Sequence, residues 1–169
     1  MKKSAISILR MLAICIPLIA LSAACDDDDD DGVTPPPIDE PDLEFDDIQL
    51  LGANERPDPV ESTGTGSFDA EYDDDTNILR YTVTWRLGNL DDQTVAMHFH
   101  GPATEEESAP PVVNIDGFTS EYTGTLTDET EPLTAQQEAD LKAGLWYINV
   151  HSTTYPNGEL RGQLIPEED

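Results

Sequence analysis

The sequence predicts an all-β fold, an antiparallel sandwich or barrel with one short helix, and three observations predict it. About eight short segments alternate apolar and polar residues with the two-residue period of a strand. Turn-forming Gly, Pro, Asn and Asp separate them at short, fairly regular spacing. Only one stretch carries helix signals at both of its ends.

The chain starts with a targeting pattern, residues 1–24. Lys2, Lys3 and Arg10 precede an apolar run of 14 residues, Met11 to Ala24. That is short of the roughly 20 residues a membrane-spanning helix needs, and it ends in small residues, so it reads as a secretory signal. Leu21-Ser22-Ala23-Ala24-Cys25 resembles the processing site of bacterial lipoproteins. The resemblance implies cleavage before Cys25 and lipid on its thiol. Ser22 stands three positions before the cysteine, where such sites usually carry leucine. The alternative is an ordinary secreted protein cut after Ala-x-Ala.

Residues 25–42 form an acidic, proline-rich tether. Six consecutive aspartates, Asp26 to Asp31, repel one another and stay solvated, and Pro35, Pro36, Pro37 and Pro41 stiffen the remainder of the tether. Acidic residues after a lipidated cysteine resemble surface-export signals in some Gram-negative groups and inner-membrane retention signals in others. The expected location is extracytoplasmic, lipid-anchored to the bacterial membrane, with the outer membrane or cell surface favoured.

The folded domain is placed at 43–166, with a charged tail at 167–169. Phe45, Ile48, Leu50 and Leu51 suggest a first strand with imperfect alternation. Phe68, Ala70 and Tyr72 mark a second, and Asp73 to Asn77 a turn. Leu79, Tyr81, Val83, Trp85 and Leu87 then make the clearest strand, completing a β-hairpin. The aspartate turn lacks the spacing and distal glutamate of a calcium loop, so it reads as a solvated turn.

Thr94 to His100 is the next strand, with Val95, Met97 and Phe99 as its apolar set and His98 and His100 on the other face. Val112 to Ile115 and Ser120 to Leu126 are short strands. Thr134 and Gln137 have the spacing of a capping box, Ala135 to Ala143 is helix-prone, and Gly144 sits where a C-terminal cap belongs. Leu145 to His151 returns to strand: Trp146, Ile148 and Val150 face one way, Tyr147, Asn149 and His151 the other. After the turn Tyr155 to Gly158, Glu159 to Ile165 closes the domain. Arg161 reads as a structural cation, pairing with Glu159 or a tether acid and worth under about 1 kcal/mol if exposed.

Once the leader is removed, five basic residues oppose 36 acidic ones, a formal charge of −31. Such a surface repels nucleic acid and anionic headgroups, and it serves solubility first. With Cys25 lipidated no thiol is left for a disulfide, so an apolar core must hold the domain.

Several blocks together resemble the CHRD domain, first described in chordin, a secreted antagonist of bone morphogenetic proteins. They are Leu51-Gly52-Ala53-Asn54-Glu55, the hairpin through Trp85, Met97-His98-Phe99-His100-Gly101, Leu133-Thr134, Gly144 to His151, and Pro156 to Leu164. The resemblance spans roughly Leu43 to Pro166. It implies an immunoglobulin-like β fold with a distant likeness to copper/zinc superoxide dismutase, and no established activity. Met97 and Phe99 replace the small or aliphatic residues common beside the first histidine, a conservative change on an apolar face.

The three histidines of the chain, His98, His100 and His151, all lie off the main apolar faces. Three neutral imidazoles with an open fourth position suit zinc or copper(II). Equally, strand-end histidines can bond backbone carbonyls, Asn149, Glu159 or the turn after Gly158. Superoxide dismutase chemistry is excluded, because by resemblance that family needs four copper-ligating histidines and further zinc ligands. Hydrolysis lacks a G-x-S-x-G nucleophile. The expected function is a non-enzymatic, lipid-anchored module for binding or adhesion to an unidentified protein or glycan. The alternative is a copper- or zinc-binding domain, redox activity included.

Overall fold

The computed structural model describes residues 41–167. The signal, Cys25, nearly all of the tether and the last two tail residues lie outside the described residues. Eight strands form: β1 Leu43–Leu51, β2 Thr65–Asp73, β3 Ile78–Arg86, β4 Thr94–His100, β5 Pro111–Asn114, β6 Thr123–Glu129, β7 Trp146–Ser152 and β8 Leu160–Leu164, with α1 (Ala135–Lys142) between β6 and β7. They make one sheet in the order β5-β4-β7-β8-β1-β2-β3-β6, antiparallel at every junction. The expected all-β class with one short helix is the one observed. Among the described residues no helix is long and apolar enough to cross a membrane.

The sheet curls until its two ends face each other. Phe99 of β4 and Tyr81 of β3 lie near opposite ends of the strand order, yet their rings meet edge to face at 5.2 Å. Phe68 of β2 joins them at 5.7 Å from Phe99, and the Trp85 indole donates to Thr94 Oγ1 across the same gap at 2.7 Å. Inside this half-barrel sit the residues the alternation predicted, among them Phe45, Tyr72, Leu79, Val83, Ile148 and Val150, all fully buried. Each such side chain contributes roughly 1.5–3 kcal/mol by leaving water, enough for a core without disulfides.

The imperfect alternation of β1 is a bulge. Register shifts between Phe45 and Ile48, and Asp47 takes a left-handed φ of 53°, so Phe45 and Leu50 both point inward across an odd spacing. A second bulge, between Thr94 and Ala96, corrects the reading of β4. Thr94 turns into the core and Val95 outward, 48% exposed, so Val95 does not share a face with Met97 and Phe99.

The helix forms as its caps require. Thr134 and Gln137 make the reciprocal capping box, and Gly144 adopts φ +68°. β6 starts three residues later than expected and runs on to Glu129, because it zips against β3 through Arg80.

A three-histidine cluster as candidate metal centre

β4 and β7 pair antiparallel, with Ala96 opposite His151, His98 opposite Asn149 and His100 opposite Tyr147. Two-residue periodicity therefore puts His98, His100, Tyr147, Asn149 and His151 on the outer face of these neighbouring strands. Most of that face is covered. All seven residues of β7 are buried, because the segments around Glu55 and Gly101 to Pro110 lie over it. His100 and His151 are each 8% exposed, and His98 is half-buried.

The three rings converge. Their centroids lie 4.9 Å (His98–His151), 5.5 Å (His98–His100) and 6.1 Å (His100–His151) apart. One nitrogen from each falls within 4.8 Å of the other two. His98 Nδ1 and His151 Nε2 are 3.1 Å apart. Ligand bonds of 2.0–2.1 Å at tetrahedral angles place nitrogens roughly 3.3 Å from one another, so this separation suits a shared ion.

Backbone carbonyls fix two tautomers. His100 Nδ1 lies 2.9 Å from Ala109 O, and His151 Nδ1 lies 3.1 Å from Pro156 O. A carbonyl only accepts, so both Nδ1 atoms carry the hydrogen and both Nε2 atoms keep a free lone pair. His151 Nε2 uses its lone pair to accept from His98 Nδ1. His100 Nε2 is buried with no partner, a lost interaction worth about 1–3 kcal/mol. Outer carbonyls that set ring tautomers are the usual second layer of metal-bound histidines.

Burial depresses all three basicities. His151 is pushed down to about 4, and His98 and His100 lie below the ordinary histidine value for the same reason. All three are thus neutral at pH 7, the ligating form.

Sequence reasoning located the histidines and did not reach their support. Tyr147 lies against His100, rings 4.8 Å apart and 10° from parallel, and its hydroxyl donates to Ala109 O, the carbonyl that holds His100. Arg161 covers Tyr147 with its guanidinium 3.7 Å from the ring centroid. It is 2% exposed and donates to Thr104 O, Glu107 O and Gln163 Oε1. Of the two expected ion pairs, the one with Glu159 does not form, because Glu159 is itself buried and accepts from Ser62 Oγ and Gly88 N; the acids of residues 26–40 lie outside the described residues. Glu55 accepts from Asn149 Nδ2 at both oxygens, and burial raises its pKa to about 7. The signals were the polar residues of the motifs Gly52-Ala53-Asn54-Glu55 and Gly158-Glu159-Leu160-Arg161, of which Glu55, Glu159 and Arg161 are buried.

A second acidic group, Glu44, Asp46 and Glu167, is exposed. In the aspartate turn Asp73 Oδ1 accepts from Thr76 N, which is local turn chemistry.

A curled antiparallel domain carrying a histidine cluster on its outer face is thus the class of protein that fold and site define. The CHRD domain model matches residues 47–164, and the chain belongs to that family. No curated protein and no solved structure matches it significantly.

Proposed function

We propose that this chain is a metal-binding CHRD module in which His98 Nδ1, His100 Nε2 and His151 Nε2 hold one copper or zinc ion. The observation that carries the reading is the buried, unpartnered Nε2 of His100 beside two further imidazole nitrogens. An ion satisfies that lone pair and takes the place of the hydrogen on His98 Nδ1, which passes through solvent to His98 Nε2 and leaves the ring neutral. Imidazole ligands suit both metals, and the fourth position is left to solvent or an external ligand. A purely adhesive module has no use for neutral imidazoles locked in one tautomer, so metal binding is preferred to adhesion through a protein or glycan ligand. Its role is binding rather than catalysis. Attachment through a lipid on Cys25, outside the cytoplasm, completes the proposal and rests on the leader pattern alone.

Copper and zinc titration of the full chain, with elemental analysis, tests the site. One equivalent binds the wild type, and the variant with all three histidines changed to alanine binds none. His98→Ala, at the most exposed ligand, leaves the fold intact and weakens binding at least tenfold. Equal binding by wild type and His98→Ala rejects the site.

A further inference from the structure

Behind His100 the structure builds a stack that a merely structural histidine does not need. Three planes lie in succession, with the His100 imidazole against the Tyr147 ring and the Arg161 guanidinium over the same ring. Both Tyr147 and Arg161 are buried, at 3% and 2% exposure. Tyr147 and His100 converge on a single carbonyl, Ala109 O, which accepts from the tyrosine hydroxyl at 3.1 Å and from His100 Nδ1 at 2.9 Å. The tyrosine hydroxyl oxygen also accepts from Ala109 N. The ring plane and the tautomer of His100 are therefore set by the same residue.

Arg161 is the unusual member. A buried cation is costly unless it is paired or fully hydrogen-bonded. In a chain with 36 acidic residues it makes no ion pair among the described residues. Its partners are two carbonyls and an amide. The two buried acids nearby are engaged elsewhere, Glu55 with Asn149 and Glu159 with Ser62 and Gly88. A full positive charge is thus held one aromatic ring behind a ligand of the cluster, hydrogen-bonded to carbonyls and an amide, on the wall of a small surface pocket that Glu105 and Glu106 also line.

We infer that Arg161 and Tyr147 are positioning residues of the metal centre, and that the buried Arg161 charge biases it toward a monovalent ion, copper(I), over copper(II) and zinc(II). This rests on the three-histidine reading and specifies which ion that site takes. Tyr147 holds the His100 ring in place. Arg161 adds a repulsion that each unit of metal charge feels once, so a divalent ion is penalised twice as much as a monovalent one. At roughly 8 Å and an effective dielectric near 20, one unit charge changes an equilibrium constant about thirtyfold, which salt screening lowers to the order of tenfold.

The test measures affinities of the full chain for copper(I), under anaerobic competition with a chromogenic chelator, and for copper(II) and zinc(II). Arg161→Gln should lower the ratio of copper(I) to copper(II) affinity about tenfold, while Arg161→Lys, which keeps the charge, holds it within about threefold of wild type. Tyr147→Phe keeps the stack and changes the ratio little; Tyr147→Leu weakens all three ions together and broadens the His100 ring signals in nitrogen-detected NMR. An unchanged ratio in folded Arg161→Gln overturns the inference. If Arg161→Gln does not fold, Arg161→Lys decides alone, and a tenfold loss of ratio there overturns the charge effect. A wild type that binds none of the three ions instead overturns the metal site itself.

Discussion

Single residues carry the site's protonation chemistry. Glu55 has an ordinary value of 4.5 and is raised to about 7, with desolvation the largest cause and Asn149 and Arg161 opposing it. Between those values the folded chain holds a proton that the unfolded chain has released. Its contribution to stability is therefore lost as pH rises from 4.5 through about 7. Glu55→Gln removes the ionisation and keeps one oxygen to accept from Asn149 Nδ2. Relative to wild type, the variant should gain about 2–3 kcal/mol between roughly pH 4.5 and pH 8. Urea unfolding at the two pH values measures it, and a pH-independent difference counts against a buried, raised carboxyl. The histidines themselves were legible in the sequence because a two-residue period assigns faces. Glu55, Tyr147 and Arg161 were not, because periodicity separates the two faces of a strand without revealing that loops bury the second one.

At the scale of elements, the devices that fix strand and helix ends differ in how far they could be read. The capping box at Thr134 and Gln137 is local, so the sequence contained it whole. Thr134→Ala should cost about 1 kcal/mol in chemical unfolding, since it frees the backbone N–H of Gln137. A change below a few tenths of a kcal/mol means that the short helix contributes little to the cooperative unit. The bulges in β1 and β4 are the opposite case. Leu50 and Phe45 looked irregular, and Val95 looked like a core residue, because one extra residue in a strand reverses every face beyond it. Only the partner strand shows where that residue sits. The β4 bulge leaves the pairing of His98 and His100 with β7 in step, which is what lets the cluster form.

For the whole molecule, charge is the governing property. The chain carries a formal charge of −28 before any processing. Self-repulsion of that size destabilises the compact state and is screened within about 10 Å at 0.1 M salt. Raising potassium chloride from about 10 to 150 mM should therefore raise the thermal midpoint by a few degrees. An unchanged or lower midpoint shows that the acids are already neutralised by local contacts. The proposed anchor has a separate check: Cys25→Ser should move the protein from the membrane fraction to the soluble one. Retention on the membrane by that variant shows that Cys25 is not the attachment point.

The sequence by itself determined the antiparallel β class, the helix with its caps, the core faces of most strands and the three histidines, because alternation and capping are local codes. Tertiary structure alone decided that β4 lies beside β7, that the sheet curls until Phe99 meets Tyr81, and that loops seal the outer face over Arg161 and Tyr147. Those outcomes depend on which distant segments pair and what they bury. The lone pair of His100 becomes chemically significant only after its surroundings have excluded water.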